Sequence, residues 1–401
     1  ETAPVFIEFI GSYAGLKVAA DGVKKELAEV DAAGEDSNLD KFAGIAQAAL
    51  IGIAVAAGGV AYEGVKMAIS FQQAMTQIST QAGLPRSQLG ALSNDVLDLA
   101  GQVGFSPDSL AEALYHVESS FASVGITSAK AMSLVKIAAQ GAAVGGADLV
   151  DVQNALDAAV ASGIPGVQNY SQAMGALNAI VGSGDMQMQD LVTALGTGVL
   201  AVVKGYGLSL TDVGAALATF GDNNIRGANA ATDLRMAVQA MAVPMATAGP
   251  MLAKLGMTSQ TLAKEMQTGG LNKAVTDLNN RLIKAGITGT QVGGVLTELF
   301  GKKAGSGLAV LMGQYDRLES KYPEIEKSAN NFGAAVAQQN DTINQKIKDL
   351  EAALEAIGIR IGTALLPYVT EFLGSISHAM TYLSEHTGAF KALGAGLGLL
   401  L

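Results

Sequence analysis

Residues 155–184 read ALDAAVASGIPGVQNYSQAMGALNAIVGSG and set the pattern for much of the chain. Small apolar residues continue for about three helical turns, Gly163 interrupts them, and a second run begins beyond Asn169. Glycine ends helices because it adopts the left-handed conformation without steric cost, and asparagine caps the amino end of a following helix. The stretch therefore predicts a helical hairpin.

Two other stretches follow the same plan. ALYHVESSFASVGITSAKAMSLVKIAAQG begins at Ala113 and ALGTGVLAVVKGYGLSLTDVGAALATFGDN begins at Ala194, so successive copies start about 40 residues apart. This spacing is typical of stacked helical hairpins, although chance coincidence of two helix-breaking signals is an alternative because the copies share little identity. The predicted helix breaks of the three copies are Gly125, Gly163 and Gly205. The predicted N-caps of the second helices are, in the same order, Thr127 or Ser128, Asn169 or Ser171, and Ser209 or Thr211.

Composition excludes several classes of protein. Hydrophobic residues make up 49% of the chain and charged residues only 15%, with no tryptophan and a mean hydropathy of +0.32. Such small apolar residues suit helices packed closely along their length, buried against other chains or facing lipid. A net charge of −11 argues against specific nucleic-acid binding, because no basic stripe can displace counterions from phosphates. Without cysteine there is no disulfide framework and no Cys-ligated zinc.

A search for chemistry yields no catalytic, cofactor-binding or metal site, and we predict that the chain is not an enzyme. The histidines lack the four-residue spacing that chelates one zinc ion, and GKKAGSGL at residues 301–308 lacks the phosphate-loop spacing and a preceding strand. No two carboxylates are placed at the separation that glycan hydrolysis needs. The histidines are His116, His378 and His386, and the carboxylates are Glu112, Glu118 and Glu298.

The chain is predicted to be all-α, an array of helical hairpins with one short N-terminal strand (Ala3–Gly11) followed by long coiled-coil-like helices. The sequence starts without Met and ends inside an apolar run, so we expect a part of a longer protein. The predicted segments are a strand plus helix at 1–38, an apolar Ala/Gly-rich helix at 39–71, a hairpin core domain at 72–335, a coiled-coil-like helix kinked at Pro367 at 336–387, and the start of a further apolar segment at 388–401.

Two apolar segments have distinct patterns. Ala43 to Tyr62, which includes Ile51 and Val60, carries no charge over a length that could cross a bilayer, although a buried helix in an oligomer is the alternative.

Beyond residue 340, aliphatic residues alternate four and three apart, which predicts a coiled-coil seam. Mixed Ile and Leu favour more than two strands, and the seam consists of Ile343, Ile347, Leu350, Leu354, Ile357 and Ile361.

Residues 223–241, NNIRGANAATDLRMAVQAM, join two predicted helices. Asn229 is the expected N-cap of the second helix, whose apolar stripe contains Leu234, Val238 and Met241. Arg226 beside a helix N-terminus could hold an anion. Because the loop lacks further glycines and a partner cation, a structural elbow is the favoured interpretation.

The stretch around this elbow, ALATFGDNNIRGANAATDLRMAVQAMAVPMATAGPMLAKLGM at residues 216–257, resembles the core region of phage tail tape measure proteins. In that family a helix, a polar turn and a small-residue step precede a Leu-Arg helix, and a proline and a Leu-Gly turn follow. The chain has Ala231-Thr232 where the family often has Gly-Thr. The matching positions are Asn224, Gly227, Ala228, Leu234, Arg235, Pro244, Leu255 and Gly256.

The likeness extends over roughly residues 65–375 through further ordered motifs. FQQAMTQIST at 71–80 resembles the entry helix of the family. ELFGKKAGSGLAVLM, with Gly301 and Gly305, resembles its closing turn, and IGIRIGTALLPYVTEFL resembles the stretch around Pro367.

The resemblance implies a structural virion protein. Such proteins lie in the tail lumen, template the tail tube and set tail length, and then leave ahead of the DNA and help it through the host envelope. The implied partners are other copies of the chain (three in all), the tail tube protein, tail tip or baseplate proteins, tail assembly chaperones and the host membrane. The alternatives are a membrane-perturbing or pore-forming effector, a plain helical scaffold, and a cell-wall hydrolase for which no motif is present.

Overall fold

The computed structural model describes residues 60–122 and 125–385, and every regular element in these residues is helical. The all-α prediction is confirmed, whereas the predicted strand at Ala3–Gly11, most of the segment Ala43–Tyr62 and residues 388–401 lie outside the described residues. The helices are α1 Val60–Gln81, α2 Arg86–Val103, α3 Pro107–Phe121, α4 Ser128–Gly145, α5 Leu149–Ser162, α6 Tyr170–Gly182, α7 Met188–Gly196, α8 Val199–Lys204, α9 Leu210–Gly221, α10 Gly227–Ala242, α11 Gly249–Lys254, α12 Thr261–Lys284, α13 Gln291–Phe300, α14 Lys302–Gly313, α15 Tyr315–Ser328, α16 Phe332–Asn340 and α17 Ile343–Glu385, with 3₁₀ turns at Ala246–Ala248 and Ala329–Asn331.

The chain divides into two compact units. The larger consists of residues 77–350, and the smaller combines the described residues 60–76 and 351–385. Helix α1 ends in the larger unit and α17 begins there, so each of these two helices contributes to both units.

The larger unit is a stack of helical hairpins in two rows. In one row α3, α5, α7, α10 and α14 each pack on the next, and in the other row α2, α4, α6, α9 and α15 do the same. Consecutive helices such as α3 and α4, α5 and α6, and α9 and α10 pack across the two rows. The predicted array of hairpins is therefore the observed architecture of the described chain.

Side-chain caps start the second helix of each predicted hairpin. The side chains of Thr127, Asn169 and Ser209 accept hydrogen bonds from backbone N–H groups three residues further on. In the first and second hairpins the break falls as predicted, and Gly163 adopts a left-handed φ of +60°. The caps satisfy amide groups that have no partner within the helix, which fixes where each helix begins.

The third hairpin differs from the prediction. Its first helix does not continue to the glycine at 205, because the chain turns at Gly198, where φ is +77°, and α7 and α8 are separate helices. Gly205 itself has a right-handed φ of −58°, and the left-handed residue before the next helix is Gly207. A left-handed residue interrupts the regular backbone of a right-handed helix, so the two positive φ values set the breaks here.

The hairpins meet over small and branched apolar side chains. Leu114 on α3, Leu156 on α5, Leu177 on α6 and Phe220 on α9 are fully buried. Alanines such as Ala138 are also buried and let helix backbones approach closely. The high alanine and glycine content of the sequence is thus explained in large part by helix packing within this unit.

The C-terminal helix starts after a break in the chain. The break at residues 341–342 separates α16 from α17, and Thr342 caps the new helix by accepting from the backbone amide of Gln345 at 3.1 Å. Helix α17 includes Pro367, where a kink is predicted, and continues to Glu385. Pro367 is exposed, and the hydrogen bond that it removes is one among many in a helix of 43 residues.

In the smaller unit, α1 and α17 approach each other at small residues. A Cβ on Gly362 would collide with the Gly64 carbonyl oxygen, and one on Gly358 would lie 2.8 Å from the Met67 methyl group. Ala68, next to Met67 on α1, and Ile359, next to Gly358 on α17, are fully buried. The glycines therefore permit direct backbone contact between the helices.

By length and hydropathy, the stretch Ile343–Glu371 of α17 could cross a membrane, and 35% of its apolar 18-residue segment is buried. The bent pair Gly227–Ala242 and Ala246–Lys254 meets the same criteria if it is treated as one span.

Candidate functional site

The elbow between α9 and α10 is built by backbone conformation. Asn224 has a left-handed φ of +62°, and its amide donates to the Gly221 carbonyl at 2.8 Å, while Ile225 donates to Phe220 at 2.9 Å. Asparagine tolerates this conformation better than most residues, which gives the family motif position a structural reason. The predicted N-cap at Asn229 is wrong, because α10 already begins at Gly227 and Asn229 lies in its first turn.

Arg226 ties the elbow to the loop before α7. Its Nε donates to the Asp185 carbonyl at 2.9 Å, and its guanidinium lies 2.7 Å from the Asp185 carboxylate. The Asp185 side chain is 77% exposed, so the ion pair is on the surface and positions the loop more than it stabilises the fold. With Arg226 occupied in this way, the geometry supports the elbow over an anion-binding loop.

Two glycines bring the backbones of the elbow and this loop together. A Cβ on Gly221 would lie 2.8 Å from the Asp185 carbonyl oxygen, and one on Gly184 would lie 2.7 Å from the Ala218 carbonyl oxygen. Both contacts are with backbone atoms, which cannot move aside as a flexible side chain can. Glycine is therefore required at both positions for the loop to lie directly on α9.

A buried ion pair joins the elbow to α15. Lys321 is 5% exposed, its Nζ lies 2.8 Å from the Asp222 carboxylate, and it also donates to the Ser183 carbonyl. The other Asp222 oxygen accepts from the Asp185 amide at 2.9 Å. Burial raises the pKa of Asp222, but the hydrogen bonds from Lys321 and the Asp185 amide together with the lysine charge outweigh burial, so the pKa is lowered. Segments far apart in sequence are thus held by one cluster.

The remaining motif residues before Pro367 lie on or beside α10, α13 and α14, which pack on one another. Leu234 is fully buried on α10, while Ala228 is exposed and Arg235 is partly exposed on the same helix. Pro244 follows the end of α10, and the next residue, Met245, donates its amide to the Leu299 carbonyl at 3.0 Å.

Gly301 and Gly305 belong to the closing turn of the motif. Gly301 separates α13 from α14 with a φ of +81°, so the turn consists of one residue and KKAGSGL is already helical. A Cβ on Gly305 would lie 3.2 Å from the backbone of Leu296, which shows how closely α13 and α14 approach. Pro367, the last motif position, lies on α17 in the smaller unit.

A break in helix α12 frees a backbone amide that donates a hydrogen bond to a buried carboxylate. Gly269 and Gly270 depart from helical geometry, with φ of −154° and +74°, and the next amide, Leu271, donates to Asp212 at 2.8 Å. Asp212 also accepts from the Tyr322 hydroxyl at 2.9 Å and from Ser209. Burial, followed by the charge of Asp212, raises the pKa of Tyr322 well above its ordinary value. One carboxylate therefore joins α9, α12 and α15.

A second buried carboxylate lies between α3, α5 and α6. Asp157 accepts hydrogen bonds from Tyr170, from Gln153 at 2.6 Å and from Ser120 at 3.2 Å. Burial is the main cause of the raised pKa of Asp157, and the hydrogen bonds only reduce the shift. Glu118 is buried as well, with one oxygen lacking a donor, and burial raises its pKa. The hydrogen bonds to Asp157 thus join α3, α5 and α6.

The candidate metal ligands of the described chain do not cluster. Residues 60–122 and 125–385 contain no group of three or more His, Asp or Glu side chains that could hold a metal ion. The His116 ring packs edge-on against Tyr115 with their centroids 5.4 Å apart. Glu112 and Glu298 are exposed on separate helices of the stack.

The predicted seam is an exposed apolar stripe. Five of its six residues on α17 are between 43% and 78% exposed, and Ile361 is partly exposed. The opposite side of the same helix is buried, with Gln345 at 1% exposure donating to the Val103 carbonyl at 3.1 Å. The exposed members are Ile343, Ile347, Leu350, Leu354 and Ile357.

Comparison with known proteins assigns the stack and its elbow to a family. The sequence profile of the phage-related minor tail proteins matches residues 93–301, which covers the hairpins, the elbow and the turn at Gly301. The chain belongs to the phage-related minor tail protein family. Membership gives it a structural role in the phage tail, and the sequence-based resemblance to tape measure proteins is confirmed.

A curated relative of this minor tail protein supports the same conclusion. The chain is 24% identical to the tape measure protein of Pneumococcus phage Dp-1 over 333 residues, which is 80% of this chain and 27% of that protein. The chain therefore spans about a quarter of the length of the relative that it matches. No solved structure matches the chain.

Sequence reasoning missed the polar clusters of this minor tail protein. Asp222 and Lys321, and likewise Asp212 and Tyr322, are about 100 residues apart, and no local pattern links such pairs. One signal was available, since the adjacent glycines at 269 and 270 lie inside an otherwise helical stretch and mark a break or a close approach.

Proposed function

We propose that this chain is the core region of a tape measure protein that determines tail length and templates assembly of the tail tube from within the tail lumen. It later leaves the tail and assists passage of the genome through the host envelope. The observation that carries the proposal is the exposed seam on a 43-residue helix, in a chain of the minor tail protein family. A helix rises about 1.5 Å per residue, so its length is a physical ruler.

The proposed partners begin with other copies of the same chain. Large aliphatic side chains in a four-three repeat cover their surface best by packing into the same repeat on a second helix. Lys346 immediately precedes one seam residue and Glu351 immediately follows the next. In a parallel assembly these flanking positions face each other across the interface, so unlike charges meet. We propose a parallel homo-oligomer of three copies, which contacts the tail tube protein, tail tip or baseplate proteins and tail assembly chaperones.

Residues 72–335 are proposed to be the folded hairpin domain, and ruler behaviour is assigned to the helices beyond residue 335. The protein is accordingly placed in the tail lumen or tail tip of the virion, and in the host envelope during infection. We propose no specific binding of nucleic acid, of a cofactor or of a metal.

The seam predicts that one charged substitution prevents self-association. Leu350→Asp is expected to weaken the association of the chain about tenfold to a hundredfold per site, because burying a leucine contributes about 1.5–3 kcal/mol. Leu350 is 56% exposed, so the fold of the single chain is expected to be unchanged. Sedimentation velocity over a range of concentrations measures the association.

Ala337→Asp is the matched control, since it adds the same charge at an exposed helical position outside the seam. It is expected to associate like the wild type. If Leu350→Asp associates as strongly as this control, the seam is not the interface between copies.

Tail length tests the ruler. In-frame removal of Glu371–Ser384 from the phage gene deletes fourteen helical residues, or two heptads, and is expected to shorten tails by about 21 Å. Electron microscopy averaged over many virions measures the length. Replacement of the same residues by an unrelated fourteen-residue helical sequence is the control and is expected to leave tail length unchanged.

The membrane-perturbing alternative makes a different prediction for the same virions. It rests on the stretch Ile343–Glu371, which is long and apolar enough to cross a membrane. Tails of normal length that fail to infect, together with leakage of liposomes caused by the wild-type chain, would contradict the ruler and favour this alternative.

A further inference from the structure

Residues 332–350 form a segment of the larger unit that buries very little of its own surface. The segment consists of α16, the break at residues 341–342 and residues 343–350 of α17. The structure describes all of these residues, and among them Gln345 alone is buried. The nearest buried apolar side chains along the chain are Ile325 before the segment and Ala352 after it. Because burial of apolar surface is the main favourable contribution to folding, little of it holds this segment on the stack.

The turn that precedes the segment lies directly on the stack. A Cβ on Gly175 of α6 would collide with the Ala329 carbonyl oxygen. The 3₁₀ turn Ala329–Asn331 packs on α6, and α16 packs on α4 and α6. Helix α16 itself has no buried residue, so its contact is made by partly exposed side chains such as Phe332 and Val336. The segment thus starts from a closely packed turn and continues with weak apolar contacts.

One side chain attaches the segment near its other end. The Nε2 group of Gln345 donates to the Val103 carbonyl at 3.1 Å and to the Asp349 carboxylate at 2.8 Å. Val103 is the last residue of α2, and carbonyls of the last helical turn have no partner within the helix. In the described chain, the bond to Val103 is the only side-chain hydrogen bond or ion pair that joins residues 332–350 to another helix. Gln345 is therefore the single polar anchor.

The start of α17 lies directly on the end of α2 at this anchor. Gly104 follows α2 with a left-handed φ of +70°, and a Cβ there would lie 2.6 Å from the Gln345 Nε2 and 2.9 Å from the Lys348 Cβ. The exposed seam residues Ile343 and Ile347 are two positions from Gln345, which is about 200° around the helix. The anchor therefore faces the stack while the seam faces away from it.

We propose that residues 332–350 are a strap that is attached to the stack by Gln345 and opens as one unit while the stack stays folded. Opening breaks the hydrogen bond from Gln345 to Val103 and exposes little apolar surface of the strap. Once the strap is open, α16 has only nine residues, which are too few for a stable isolated helix. The strap lets the start of the seam helix part from the hairpin stack. It is a property of the folded chain and does not depend on the tail role proposed above.

Native-state amide hydrogen exchange of the full chain tests the strap. The amides of α16 are expected to exchange faster than those of α4 and α6 and with only a weak dependence on urea, because opening exposes little surface. Exchange in α4 and α6 is expected to depend strongly on urea, since it requires the stack to unfold. An equally strong urea dependence in α16 would mean that the segment opens only when the stack unfolds, and would overturn the proposal.

Gln345→Glu tests the anchor. The side chain keeps its size, but a carboxylate only accepts hydrogen bonds and would face the Val103 carbonyl and the Asp349 carboxylate. Exchange of the α16 amides is expected to become about tenfold to a hundredfold faster, while exchange in α4 and α6 is unchanged. A negative charge in the first helical turn favours the helix. If Gln345 acted only on the start of α17, exchange would therefore not become faster.

Asn344→Asp is the matched control, because it makes the same change from amide to carboxylate at the neighbouring, exposed position of the same helical turn. Exchange of the α16 amides is expected to stay as in the wild type. If Gln345→Glu and Asn344→Asp gave the same exchange rates, the Gln345 side chain would not be what attaches the strap.

Discussion

Replacing Asp222 by alanine is expected to lower the free energy of unfolding by about 3–5 kcal/mol, because the buried ammonium of Lys321 loses its counter-charge. The Lys321 side chain is 6% exposed, and its other hydrogen bond is to the Ser183 carbonyl, which carries no net charge. An ammonium in this position cannot be solvated without opening the contact between α15 and the elbow. Urea unfolding followed by circular dichroism measures the effect.

Two further variants separate a buried charge from a general packing defect. Adding Lys321→Met to Asp222→Ala removes both charges while keeping an unbranched apolar chain, and is expected to recover most of the lost stability. Asp185→Ala removes the exposed carboxylate of the same cluster and is expected to cost only about 0–1 kcal/mol. If Asp222→Ala were no more destabilising than Asp185→Ala, the ion pair would not stabilise the elbow.

Gly270→Ala is expected to destabilise the larger unit by about 2–6 kcal/mol, because two independent penalties combine. The backbone of Gly270, with φ of +74° and ψ of −174°, is in a region that is open almost only to glycine. An added Cβ would also lie 2.5 Å from the Asp212 carboxylate and displace it from the Leu271 amide. The free energy of unfolding in urea is the quantity to compare.

Gly269→Ala is the matched control for this glycine. Its φ of −154° is negative, so the penalty of a positive φ is absent, and a Cβ there would meet only the flexible side chain of Lys273. A change below about 1 kcal/mol is expected. Equal destabilisation by the two substitutions would mean that the positive φ and the Asp212 contact of Gly270 do not explain the result.

Several features of the fold could be predicted because they depend on neighbours in sequence. The caps at Thr127, Asn169 and Ser209 satisfy amides only three residues away, and the break at Gly163 needs one left-handed residue. These interactions are complete within a single turn of helix. Helix type and hairpin position in the described chain were therefore predictable from residues 113–223, apart from the additional turn at Gly198.

Where the prediction was wrong, tertiary contacts or a choice between two local signals decided the outcome. Asn229 is a good N-cap by residue type, but the elbow starts α10 two residues earlier, where Gly227 takes a φ of +56°. The local preference for a cap at Asn229 amounts to a few kcal/mol at most, which packing elsewhere can exceed.

The sequence by itself determined the all-α class, the stacked hairpins, the apolar repeat on α17 and the likeness to tape measure proteins, since each is written in residues a few positions apart. Only the tertiary structure decided which polar groups meet. Asp222 with Lys321 and Asp212 with Tyr322 are joined although each pair is about 100 residues apart in the chain. Burial makes each pair energetically important, and burial is a property of the assembled helices, which no short stretch of sequence contains.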